Sequence, residues 1–115
     1  METKEWLKKF KKPKEKNLQK EAMDYLNGLG KQIWFKHVRD DQQRGIPDII
    51  GWVLGQPFMI ELKIGSNKPT GIQCHELEQG AIAGALTTAA WSIEEVETFM
   101  DKVIEEALKR NSRLK

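Results

Sequence analysis

The chain of 115 residues holds one cysteine, Cys74, so no disulfide can close within it, and a single thiol fits a reducing compartment. No apolar run approaches the roughly 18 to 20 residues that span a membrane. The lysine-rich N-terminus is not followed by the apolar segment of a secretory signal, so the expectation is an intracellular, cytoplasmic protein. There is no internal repeat and no low-complexity tract. Acidic charge is scarce at one end only. Residues 1–20 hold eight lysines against three glutamates, a balance of +5, which leaves 11 basic and 14 acidic residues, a balance of −3, in residues 21–115. Such an end attracts phosphate backbones through counterion release, or else is a solvated lysine-rich helix. Lys8, Lys9, Lys11 and Lys12 are its candidate nucleic-acid contacts.

What is present reads as one domain, since this length supports a single core of a few strands and helices. Residues 2–11 can form a short helix that Pro13 ends, a basic extension over 1–14 ahead of a domain over 15–115. Leu18, Ala22, Met23, Tyr25 and Leu26 recur at helical spacing until Gly28 and Gly30, which predicts a helix over 15–28. Residues 32–39 are rich in β-formers and lead into the polar loop DDQQRG. Two apolar segments, 48–54 and 57–64, follow as a hairpin around Gly55 and Gln56. Thr70 is placed to cap a helix over 71–83, which Gly84 closes. A short strand over 85–91 precedes a capping box, Ser92 with Glu95, and a last helix whose apolar face carries Val96, Met100, Val103, Ala107 and Leu108. The order is αβββαβα, a mixed α/β fold.

The stretch Gly45 to Lys63, GIPDIIGWVLGQPFMIELK, carries more charge than a buried hairpin needs. Residues two apart on a strand share a face, so Glu61 and Lys63 project together while Leu62 points the other way into the core. If the turn brings Asp48 alongside, two carboxylates and an ammonium converge. Hard cations such as Mg²⁺ or Mn²⁺ take carboxylate, carbonyl and water oxygens and commonly use only one or two protein carboxylates besides substrate phosphate. Asp48 and Glu61 supply these, and the backbone carbonyl of Leu62 can add a third oxygen. A cation so held polarises a phosphodiester and lowers the pKa of a bound water. Lys63 is placed to orient that water, help remove its proton or stabilise charge on the phosphate. The chemistry implied is phosphodiester hydrolysis. A PD followed by ExK is nevertheless short and common, and a proline-initiated strand with a surface ion pair explains it equally simply.

Taken in order, Glu15 in EKNLQKEAMDYL, Gly45-Ile46-Pro47-Asp48-Ile49-Ile50, Glu61-Leu62-Lys63 and Pro69-Thr70 followed by Gln73 resemble the VRR-NUC branch of the PD-(D/E)XK nucleases. The resemblance covers about three quarters of the chain. It implies a restriction-endonuclease-like core and a metal-dependent endonuclease acting on DNA. Asp48 and Glu61 would be the ligands and Lys63 the base or electrostatic stabiliser. Glu15 would complete the acidic site from the first helix, unless Glu21 on the same helix is the inward-facing acid. Gln73 would brace the lysine or contact the phosphate. Short stand-alone members, typical of phages and bacteria, are similar to dimeric Holliday-junction resolvases, which implies a homodimer cutting branched DNA. Flap, nicked or linear duplex DNA is the alternative substrate, and a DNA-binding module without turnover is the alternative class.

Arg39 and Arg44, in the loop approaching Asp48, are candidate phosphate contacts, with Lys68 a similar case before Gln73. His37 with Asp40 and Asp41 is a weaker metal candidate than a plain loop. Cys74 and His75 are adjacent on a helix, point in different directions and make a poor zinc pair. The four tryptophans are expected in the core or at a dimer face, with Trp6 in the basic segment able to stack on a base.

Overall fold

A computed structural model describes residues 15–38 and 45–114, with side chains from 17 to 112 within those ranges. The basic residues Lys8, Lys9, Lys11 and Lys12, the short helix over 2–11 and Trp6 lie outside the described residues, as do Arg39, Asp40, Asp41 and Arg44. The elements are α1 (Glu15–Asn27), β1 (Ile33–His37), β2 (Ile49–Val53), β3 (Gln56–Leu62), α2 (Gly71–Ile82), β4 (Leu86–Ala90) and α3 (Ile93–Leu114). Their order is the αβββαβα expected from the sequence.

The four strands form one sheet in the order β1-β2-β3-β4. The first three are antiparallel neighbours, and β4 runs parallel to β3. Antiparallel strands can be joined by tight turns, whereas the parallel pair needs a crossover, which α2 provides. The β2–β3 turn is one residue earlier than its glycine suggests. Leu54 and Gly55 both take positive φ, 49° and 88°, the two-residue hairpin geometry whose twist matches its strands. Gln56 is then not a turn residue. It opens β3 opposite Val53 and is buried, its amide Nε2 donating to the carbonyls of Pro57 and Gly84.

Alternation along the strands divides the sheet into two unlike faces. Ile49 and Val53 of β2 with Phe58, Ile60 and Leu62 of β3 point to one side, where they meet Leu18, Ala22 and Leu26 of α1 and Val96, Met100, Val103 and Ala107 of α3. Each fully buried aliphatic or aromatic side chain here contributes about 1.5–3 kcal/mol. Leu108 departs from the expected stripe: it is exposed, because the stripe follows Val96, Met100, Val103 and Ala107 at three- and four-residue steps. Gly51 sits on the same core face. A Cβ there would lie 2.8 Å from the ring of Phe58, 2.8 Å from Cβ of Phe35 and 2.4 Å from the carbonyl oxygen of Trp34, so the neighbouring aromatic side chains occupy the space a side chain would take.

The opposite face is covered over β3 and β4 by α2, whose Gly80 lies against Met59. Thr70 caps this helix as expected. Its Oγ1 accepts from the N–H of Gln73 at 3.2 Å, and Gln73 Oε1 accepts from the N–H of Thr70 at 2.9 Å, a complete capping box. At α3 the cap is offset by one: Ser92 Oγ accepts from the N–H of Glu95, while the Glu95 carboxylate reaches the N–H of Trp91 at 2.7 Å. None of the helices among the described residues is long and apolar enough to cross a membrane.

Candidate active site

Asp48 lies immediately before β2 and Glu61 is the penultimate residue of β3. The β2–β3 register pairs Ile49 with Ile60, so continuing it by one residue sets Asp48 opposite Glu61. Two hydrogen bonds fix the pair. The N–H of Asp48 donates to Glu61 Oε1 at 3.2 Å, and the N–H of Leu62 donates to Asp48 Oδ2 at 2.7 Å. Each carboxylate is therefore held by the backbone of the other's strand, which orients both at little further entropic cost. The carbonyl of Asp48 also accepts from the N–H of Val38 at 2.7 Å, tying the turn before β2 to β1.

Lys63 follows β3 and is anchored by its own N–H, which donates to the carbonyl of Ala90 at 2.9 Å. Its Nζ lies 3.3 Å from Glu61 Oε2, and its side chain is largely buried. Leu62 between them points into the core. The expected convergence of Asp48, Glu61 and Lys63 on one face is thus present in the geometry.

Glu61 is only 2% exposed. Burial, then the charge of Asp48 and their hydrogen bond, push its carboxyl up to about 7, and the Lys63 ammonium only partly opposes this. Two carboxylates face one ammonium, so the cluster is short of positive charge. Among the described residues no third acidic, histidine or cysteine side chain joins them to form a larger metal-binding group. An all-oxygen donor set with surplus negative charge fits a hard divalent cation that keeps other positions for water and phosphate.

Gly45 explains how the glycine of GIPD shapes this site. It has φ +83°, and a Cβ there would fall 2.3 Å from Cγ2 of Ile72 and 2.9 Å from its carbonyl oxygen. Only glycine allows the strand entrance to approach the first turn of α2 so closely. That contact sets the Gln73 end of α2 beside the approach to Asp48. Gln73 itself is partly buried and uses its Oε1 in the cap, which leaves the amide nitrogen as its donor end. Glu15 opens α1, and its side chain lies outside the described residues; Glu21 is exposed. Lys68 is exposed on the loop before α2, a loop tied down where the Trp91 indole N–H donates to the carbonyl of Asn67 at 2.7 Å. Cys74 and His75 are both exposed on α2.

Two of the four tryptophans lie on this face and outside the core. Trp34 and Trp52, expected in a core or interface, pair across β1 and β2 and remain half exposed. Period-two alternation places Trp52, four residues after Asp48, on the side of Asp48, whereas the exposure depends on where α2 stops covering the sheet.

By sequence alone, no family model and no curated protein matches the chain. Its structure is similar to a solved structure described as "VRR_NUC domain", with a TM-score of 0.64 and 25% identity, covering 76% of this chain and 94% of that one. This likeness supports assigning the chain to the VRR-NUC family. The mixed four-stranded sheet flanked by helices is the restriction-endonuclease-like architecture of a VRR-NUC domain. The VRR-NUC likeness supports a nuclease-like domain.

Proposed function

We propose that the protein is a Mg²⁺- or Mn²⁺-dependent endodeoxyribonuclease, with Asp48, Glu61 and Lys63 at its reaction centre. The observation that carries this reading is the reciprocal bracing of Asp48 and Glu61 beside Lys63, with a nearly buried Glu61 carboxyl raised to about 7. A carboxylate buried beside another carboxylate is costly unless a cation shares it. Asp48, Glu61 and the Leu62 carbonyl would hold the ion, with Glu15 a further ligand from α1. The ion, when bound, supplies polarisation of the phosphodiester and a more acidic water. Lys63, 3.3 Å from Glu61, would position the attacking water and stabilise charge as the phosphate oxygens become more negative. Gln73 can present its amide nitrogen to the same phosphate. Arg39, Arg44, Lys68 and the lysines of residues 1–14 would contact the DNA backbone outside the reaction centre, with residues 15–115 as the nuclease domain and 1–14 as a basic appendage.

The preferred substrate in this reading is branched DNA such as a Holliday junction, cut by a homodimer inside the cell. A four-way junction has two-fold symmetry, so a symmetric pair of sites can cut opposing strands. Helix α2 supports a two-copy assembly, because it buries none of its residues and leaves Ile82 73% exposed. The test is incubation with labelled four-way junction, flap, nicked and linear duplex DNA in Mg²⁺, Mn²⁺ or chelator. Metal-dependent cutting of the junction faster than of its unbranched arms is expected. Binding without cleavage in every metal would identify a non-catalytic DNA-binding module instead.

A further inference from the structure

The face that carries Asp48, Glu61 and Lys63 continues across β2 and β1, where α2 no longer covers it. There Trp52 and Trp34 are register partners, with ring centroids 5.3 Å apart and planes tilted by 48°. They are 44% and 50% exposed. Lys36, next on the same face of β1, holds its Nζ 5.9 Å from the centre of the Trp34 ring. One exposed aromatic residue is ordinary, but two adjoining indoles leave a continuous apolar surface in water, which marks a contact site.

Charge decides what kind of contact. β1 and β2, with residues 56–60 of β3, carry Lys36 on this face and no acidic residue. Among the described residues of these strands, a phosphate chain lying across β1 and β2 meets the Lys36 ammonium and no carboxylate until it reaches Asp48 and Glu61. An isologous second copy on this patch would instead bring lysines against lysines. Stacked, paired bases hide their ring faces within the duplex, so indoles can stack only on bases that have left the helix. Trp52 lies four residues along β2 from Asp48, roughly 13 Å at about 3.3 Å per residue. A single strand leaving the carboxylates along the sheet reaches the indoles within a few nucleotides.

We propose that Trp34 and Trp52, with Lys36, form a stacking platform for unpaired bases next to the cleavage site, so that the substrate must present a single-stranded stretch at or beside the bond cut. This rests on the reading of Asp48, Glu61 and Lys63 as a nuclease centre. Bases at a branch point are the ones freest to leave their stack, which places the platform where a branched substrate would need it.

The test measures fluorescence anisotropy of dye-labelled oligo(dT) and of a blunt duplex of equal length, in chelator so that no cleavage occurs. Wild type is compared with Trp34→Ala, Trp52→Ala, Trp34→Phe and Lys36→Ala, each checked for folding by thermal melting. The platform predicts oligo(dT) affinity reduced on the order of tenfold for each alanine variant at a tryptophan, partial retention in Trp34→Phe, and little change for the duplex. If Trp34→Ala proves unfolded, Trp34→Phe and Lys36→Ala carry the comparison. Folded alanine variants that bind oligo(dT) as wild type does would overturn the proposal. So would variants that merely convert a dimer to a monomer in sedimentation, since the patch would then join two copies. Cleavage assays separate the two levels: tryptophan-dependent binding in a protein that cuts nothing sinks the nuclease reading, whereas normal cutting with tryptophan-independent binding sinks the platform alone.

Discussion

Glu61 is the residue on which the electrostatics of the site turn. Its carboxyl stands near 7 in the folded protein against 4.5 for an ordinary glutamate, because burial and Asp48 disfavour its charge more than Lys63 favours it. Between these two values the folded chain holds a proton that the unfolded chain has released. Stability from this group is therefore greatest below 4.5, falls as pH rises through that window and levels off above 7. Thermal melts in chelator should show wild type losing stability relative to Glu61→Gln between pH 4.5 and 7, by an amount on the order of a few kcal/mol. Parallel pH profiles would contradict this. Mg²⁺ or Mn²⁺ should restore stability most strongly at and above pH 7, since the ion binds the ionised carboxylate. In the proposed site Gln73 would act from further out. Gln73→Ala should lower cleavage while leaving the Asp48–Glu61 bracing intact, and it should also weaken α2, since the same side chain completes the Thr70 cap.

At the level of elements, two close approaches position the site. Gly51 lets the aromatic side chains of β1 and β3 close over β2, and Gly51→Ala should cost about 1–3 kcal/mol in denaturant unfolding because backbone as well as side chains must shift. A change below about 0.5 kcal/mol would mean the strands separate easily there. Gly45 brings the approach to Asp48 against Ile72. Much of this was legible in the sequence for specific reasons. Helical spacing marked α1 and α3, Gly84 and Thr70 marked the ends of α2, and two-residue alternation put Glu61 with Lys63 and opposite to Leu62. Less was legible where tertiary contact overrides local preference. The turn fell at Leu54 and Gly55 because buried Gln56 is held by the Gly84 carbonyl, contributed from the far end of α2. The exposure of Trp34 and Trp52 follows from where α2 stops covering the sheet, which no local pattern encodes.

For the whole molecule, one sheet divides the labour between its faces. One side is sealed by α1 and α3 and carries the core, and the other holds the carboxylates, the lysine and the exposed indoles. The chain's basic end adds charge whose structural placement lies outside the described residues. If two copies assemble through α2, sedimentation should give a dimer, and Ile82→Glu should shift it to monomer without loss of melting temperature; an unchanged mass would exclude that face. The central claim concerns the chemistry of Asp48, Glu61 and Lys63, and single-turnover cleavage of a labelled four-way junction in Mg²⁺ tests it most directly. Glu61→Gln and Lys63→Ala should each slow cutting on the order of a hundredfold or more while junction binding persists. A Lys63→Ala protein that cuts the junction at the wild-type rate would contradict the account.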